Sequence, residues 1–203
     1  MIARVYIEAG NCKTPEHVFI STLLRHMGFQ PDIHFEIINI GGKDNLQNAT
    51  NKMTETELEG NRNIIVFDAD SPDNGGGFSI RKAEIEAVMR TKGVHAEIFL
   101  FPDNSSDGDF ETLLEGVAQT ERHKLFFGCF NDYECCVGRE YLSPNRKGKF
   151  HTYVTAQPWL SKKQREAIGK GQWMFDDMRL WNLDAEILQP LKDFLNQNIS
   201  SNH

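Results

Sequence analysis

Cysteine is scarce in this chain of 203 residues: Cys12, Cys129, Cys135 and Cys136, with no CxxC pair among them. A structural zinc site needs paired ligands at both elbows, and a disulfide scaffold needs a denser framework, so the composition argues against both. The four thiols are expected to be free and buried in a reducing compartment, with Cys135 and Cys136 pointing apart if their stretch is extended. No apolar run approaches the roughly 18 residues of a membrane span. The opening MIARVYIEAG lacks the basic end, apolar stretch and small-residue cleavage site of a secretory leader, which makes the cytoplasm the default location. Internal repeats and low-complexity tracts are missing, and so is the GxxxxGK[ST] spacing of a phosphate loop, which GGGFS at 75–79 does not satisfy. Positive charge is also in short supply. With 22 Lys/Arg against 29 Asp/Glu, the net charge of −7 argues against wholesale coating of nucleic acid.

The charge that is present is uneven. Between Arg139 and Lys170 there are eight Lys/Arg and two Asp/Glu, a local +6, which leaves −13 for the rest of the chain. A basic segment on an acidic body can form a phosphate-binding face or a solvated surface. Hydrophobic residues make up 39% and charged residues 25%, the balance of an ordinary globular protein with a single sizeable core.

Strand and helix signals alternate along the first 120 residues. Arg4 to Glu8 reads as a strand, and Pro15 fits the first turn of a helix reaching His26. FEIINI (35–40) is a second strand closed by Gly41 and Gly42, with a helix expected over 47–58. NIIVFD (63–68) is a third strand. A helix from Ser79 to Gly93 should turn Ile80, Ala83, Ala87 and Val88 inward. HAEIFLFP (95–102) is a fourth strand, followed by a helix that Asp109 would cap. This βαβα order predicts an α/β fold with a mainly parallel, Rossmann-like central sheet and helices on both faces. The core would span 1–122, with 123–203 an irregular extension packed on the same domain. In that extension FHTYVTA (150–156) reads as a strand, Ser161 to Ile168 as amphipathic, and 184–197 as a last helix. Trp173, Phe175 and Trp181 read as core anchors, and the terminal NQNISSNH as a frayed end.

Chemistry gathers where strands end. Ligands of open α/β sheets sit beyond the carboxyl ends of the strands. Glu8 ends the first strand, and Asp68 and Asp70 end the third, where an i, i+2 pair would share one face about 6.5 to 7 Å apart. Glu111 stands at the start of the helix after the fourth strand. Converging carboxylate oxygens suit a hard divalent cation, Mg²⁺ or Mn²⁺, of the kind that assists phosphoryl displacement. Each acid also has a plainer reading as a turn former, a first-turn helix residue or a solvated side chain.

VYIEAG, IINIGGKDNL, IIVFDAD and FLFPDNSSDGDFETLL occur in the order and spacing of the Toprim fold. Residues 1–120 therefore resemble that fold, which is shared by topoisomerases, bacterial primases, recombination proteins and OLD-type nucleases. The nearest resemblance is to a bacterial Toprim-related family akin to the OLD nuclease domain. The resemblance implies that Glu8 is a metal ligand and general acid/base, that Asp68 and Asp70 are the metal-binding DxD pair, and that Glu111 serves a second ion. It also implies a lysine before a later strand, for which Lys149 is the match. Two departures stand out. The usual Glu-Gly is Glu8-Ala9, and the acid normally a few residues on is missing in register, Glu16 being the nearest.

What the resemblance implies for function is a Mg²⁺- or Mn²⁺-dependent nuclease or phosphotransfer enzyme acting on nucleic acid, DNA before RNA. A separate ATPase partner is a further implication, as this chain carries no ATPase motif. Arg146, Lys147 and Lys149 are expected to bring the basic segment to the acidic site, with strand geometry placing Lys147 and Lys149 on one side. A non-cutting Toprim module that binds nucleic acid or nucleotide stays open. A haloacid-dehalogenase-like phosphatase fits less well, because Pro72 stands where that DxD motif wants Thr or Val.

Overall fold

The computed structural model describes residues 2–138, 140–142 and 145–199. Strands that carry apolar side chains on both faces must be covered on both faces, and here they are. β1 (Ala3–Ile7), β2 (Phe35–Asn39), β3 (Arg62–Asp68) and β4 (Glu97–Phe101) form one sheet in the order β2-β1-β3-β4. All three pairings are parallel, with Tyr6 opposite both Ile38 and Ile65, and Ile65 opposite Ile98. Between and after them lie α1 (Pro15–His26), α2 (Leu46–Leu58), α3 (Phe78–Lys92) and α4 (Phe110–Val117).

The period-2 alternation of the strands sorts two cores. Val5, Ile7, Ile64, Val66, Phe99 and Phe101 meet α1 and α4 on one face. Tyr6, Ile65, Phe67 and Leu100 meet Leu46 and Met53 of α2 and Ile85 and Met89 of α3 on the other. The chain steps outward from β1 to β2, then returns past β1 to β3. The carboxyl ends of β1 and β3 therefore flank the point where the winding reverses, the position at which such sheets bind ligands.

Beyond α4 the chain adds α5 (Lys124–Val137), α6 (Arg146–Thr155), α7 (Lys162–Ile168) and α8 (Gln189–Ile199). Phe150, Tyr153, Trp173, Phe175, Trp181 and Leu191 join the same apolar cluster as Phe19 and Phe110. The buried polar tips are satisfied locally: Trp181 Nε1 donates to the Trp173 carbonyl at 3.0 Å and Tyr153 Oη to the Leu180 carbonyl at 3.0 Å. Among the described residues no helix is long and apolar enough to cross a membrane.

Four expectations are corrected. FHTYVTA is helical, not extended: its buried residues Phe150, Tyr153 and Val154 recur at helical spacing, and Asn145 Oδ1 caps the helix by accepting from Gly148 N at 2.9 Å. The inward face of α3 is Arg81, Ile85 and Met89, while Ile80 is 53% exposed, because Arg81 is drawn in by carboxylates. All four cysteines are exposed, and Cys135 and Cys136 lie on a helix. The last helix starts at Gln189 and holds the sequence to Ile199, while Ser200–His203, like Arg139 of the basic segment, lie outside the described residues.

Candidate metal centre

Glu8 follows the last residue of β1, and its Oε1 accepts a hydrogen bond from the Asp68 N–H at the end of β3, 3.1 Å away. The Gly-Gly turn after β2 hangs from the same place: Gly41 N donates to the Ala9 carbonyl at 3.0 Å and Gly42 N to the Glu8 carbonyl at 2.8 Å. Both glycines have positive φ, 75° and 109°, which lets this turn fold back over the end of β1. Asp68 Oδ1 in turn accepts the N–H of Phe110, the first residue of α4, at 2.8 Å. One carboxylate thus takes up a donor that the start of a helix leaves unsatisfied.

Two more carboxylates reach this spot from helix starts. Glu16 and Glu111 are each the second residue of their helices, α1 and α4. The two helices meet just beyond through Phe19 on Phe110, 5.2 Å between ring centres, and Phe175 of the later chain packs on Phe19 at the same distance, 5.2 Å. Glu8, Glu16, Asp68 and Glu111 are all half-buried in surface terms, and protein atoms crowd them enough to disfavour their charges. Burial pushes Glu16 up to about 8, with repulsion from Glu8 and Glu111 adding to it. Burial, then Glu16 and Glu8, hold Asp68 well above the usual carboxylate range, against the pull of the Phe110 N–H. Glu8 is raised chiefly by burial, partly offset by the Asp68 N–H, and Glu111 by burial and then Asp109, with Lys147 opposing.

Asp70 takes a different course from Asp68. Its φ of 62° breaks the extended backbone, so the expected same-face pairing of the two aspartates does not follow. The Asp70 Oδ2 lies 2.6 Å from Arg81 Nη2 and 3.5 Å from Lys43 Nζ. Arg81 is itself buried and also pairs with Glu84. Two of the three glycines that follow are required here, Gly76 by its crowding and Gly77 by its φ of 111°. A Cβ on Gly76 would collide with Asp70 Cβ and approach the Ala69 carbonyl at 2.9 Å, while Gly77 N donates to that same carbonyl at 2.8 Å.

The basic segment divides likewise. Lys147 faces the cluster and draws down both Glu16 and Glu111. Arg146 docks α6 on α4, donating to Thr112 Oγ1 at 2.6 Å and Asp109 Oδ1 at 3.3 Å, with Glu115 at 3.7 Å. Lys149 faces α5, its Nζ 3.1 Å from Asn131 Oδ1, 3.6 Å from Glu134 and 5.7 Å from the centre of the Phe130 ring. The expectation that Lys149 lies at the carboxylates is therefore corrected. On a helix, residues two apart are about 200° round the axis, so Lys147 and Lys149 point to opposite sides.

Glu16 is the site residue that sequence reading named only as the nearest acid to a missing position and did not assign to the site. The signal was there in Pro15-Glu16, an acid in the first turn of the helix that follows β1, matching Phe110-Glu111 after β4. Among the described residues no three His, Cys, Asp or Glu side chains are drawn up closely enough to enclose a metal ion. The cluster is instead an open gathering of hard oxygen donors that repel one another. That donor set fits a hydrated Mg²⁺ or Mn²⁺, which keeps several of its waters and needs only one or two carboxylates directly.

A family model described as "Protein of unknown function (DUF3226)" matches residues 12–200 of the chain, a stretch that takes in Glu16, Asp68, Asp70, Glu111 and Lys147 and begins just after Glu8. Comparison with curated proteins and with solved structures returned no match.

Proposed function

The chain belongs to that DUF3226 family, and we propose that it is a Toprim-type, divalent-metal-dependent phosphodiesterase acting on nucleic acid, DNA before RNA. The observation that carries the reading is the half-buried carboxylate group Glu8, Glu16, Asp68 and Glu111 at the winding reversal of a parallel sheet, with Lys147 beside it. Burial and mutual repulsion shift these acids toward their protonated forms, and a divalent cation is the partner that would offset that shift.

Glu8 and Asp68, joined at the ends of β1 and β3, would hold the ion directly, and Glu16 and Glu111 would meet it through its retained waters. Bound there, Mg²⁺ or Mn²⁺ supplies polarisation of a phosphoryl oxygen and a more acidic water. The chain's own residues do the rest. The Asp68 N–H and the Phe110 N–H fix the orientations of Glu8 and Asp68 before any ligand arrives. Lys147 offsets the negative field of the carboxylates, which would otherwise repel a phosphodiester, and it is aimed by the docking of Arg146 on α4. Asp70 anchors the loop after β3, and its partners Arg81 and Lys43 offset the repulsion it exerts on Glu8.

A non-cutting Toprim module that binds nucleic acid is favoured by one observation. Lys149, the basic group implied for the scissile phosphate, is engaged with α5. Incubation of labelled single-stranded DNA, duplex DNA and RNA with Mn²⁺ or Mg²⁺ separates the two. Cleavage that chelator and Asp68→Asn both abolish is expected. Metal-dependent binding without any cleavage would establish the binding module instead.

A further inference from the structure

Next to the carboxylates lies a separate cavity of 350 Å³, at the small end of ligand pockets. It is framed by Lys13 and Thr14 before α1, Lys147 and His151 of α6, and Lys170 after α7, over the edge of Trp173. No Asp or Glu lines it, and among the described residues none of its three lysines forms an ion pair. What sets them apart from the chain's other lysines is that three of them line one cavity that no carboxylate enters. Three lysines along the wall of one small cavity make it positive, a field that an entering anion would offset.

The cavity is held in shape by the backbone. Gly171, at φ 96°, presses against the Lys13 carbonyl so closely that any Cβ would collide with it. This fastens the turn carrying Lys170 to the turn carrying Lys13. The cavity also adjoins the carboxylates through shared elements. Pro15 lines it and Glu16 is the next residue, while Lys147 belongs to its wall and follows Arg146, which is bonded to α4 beside Glu111.

We propose that the Lys13–Lys147–Lys170 cavity binds a backbone phosphate of the nucleic-acid strand, one that neighbours the phosphate held at the carboxylates. This rests on the proposed phosphodiesterase reading for the placement of the second phosphate. The strand then passes between two sites of opposite sign, and the cavity sets its register. Basic groups of this kind act on the backbone without reading bases, so binding is strongly salt-dependent and sequence-tolerant.

The test is binding of fluorescent single-stranded DNA in Ca²⁺ to the full chain, the Lys13→Ala/Lys170→Ala variant and a Lys13→Arg/Lys170→Arg control. The alanine variant should bind about tenfold more weakly at 0.1 M salt and lose about one unit of the log–log salt slope, with the arginine control near wild type. Oligonucleotides carrying a single neutral methylphosphonate should reveal one position that weakens the wild type but not the alanine variant. Equal affinity and slope in all three proteins overturns the proposal, as does the failure of wild type to bind DNA. Lysine-dependent binding of a free mononucleotide, with DNA binding untouched, overturns it too. Cleavage is read separately. Absent cleavage with a lysine-dependent phosphate position defeats the phosphodiesterase reading and leaves the cavity standing, while intact cleavage with an unchanged slope does the reverse.

Discussion

The carboxylate of Glu8 accepts the main-chain N–H of Asp68 at 3.1 Å, so the ends of two neighbouring parallel strands are joined by a side chain that is itself a candidate ligand. The bond uses one oxygen of Glu8, and the Asp68 side chain is held in turn by the Phe110 N–H. Glu8, Asp68 and the start of α4 form one relay of hydrogen bonds.

That relay separates the two aspartates of the DxD motif by role. In calorimetric titration with Mn²⁺, Asp68→Asn and Glu8→Gln should each lose binding by tenfold or more, about 1.4 kcal/mol. Asp70→Asn should retain the wild-type stoichiometry, because Arg81 and Lys43 already satisfy Asp70. Loss of binding in Asp70→Asn alone would reverse the assignment.

Stability without metal should fall as pH rises. The folded-state pKa of Glu16 is raised from 4.5 to about 8, so the native state retains a proton that the unfolded chain releases. Its favourable contribution is complete below pH 4.5 and is lost progressively up to about pH 8, amounting to a few kcal/mol on the order-of-magnitude scale. Urea unfolding in chelator at pH 5 and pH 8 should show this decline, and Glu16→Gln should flatten it. Added Mn²⁺ should stabilise the protein more at pH 8 than at pH 5, since the metal requires the charged carboxylates.

Lys147 and Lys149 should differ although only Gly148 separates them. Lys147→Ala should weaken DNA binding roughly tenfold at low salt and lower any cleavage rate with it. Lys149→Ala should leave both unchanged and cost about 0.5–1 kcal/mol of stability, from its Glu134 pairing and its contact with Phe130. A cleavage defect confined to Lys149→Ala would restore the role that the resemblance implied for it.

Arg81→Met should leave Asp70 without its main partner beside Glu8 and destabilise the fold by roughly 2–4 kcal/mol. Asp70→Asn in that background should recover part of the loss, as measured by the urea midpoint in a double-mutant cycle. Equal destabilisation in the single and double variants would mean that the Arg81 alkyl chain, rather than its charge, carries the effect.

Local patterns in the sequence determined the elements and the class of fold. Short apolar runs such as IIVFD could only be buried strands, Pro15 and Asp109 marked helix starts, and Gly93 marked a helix end at φ 68°. Alternation of strand and helix then required a parallel sheet, whose carboxyl ends carry Glu8 and Asp68 because those residues close β1 and β3. What tertiary structure alone decided was direction. Asp70 turned to Arg81 because a single positive φ undid the strand's period, and Arg81 became a buried face of α3 because an ion pair outweighed the preference for apolar Ile80. FHTYVTA, rich in β-formers, became helical because Phe150, Tyr153 and Val154 found their burial on one side of a helix against Trp181 and Phe175. With that change of period from two to 3.6, Lys147 went to the carboxylates and Lys149 away from them.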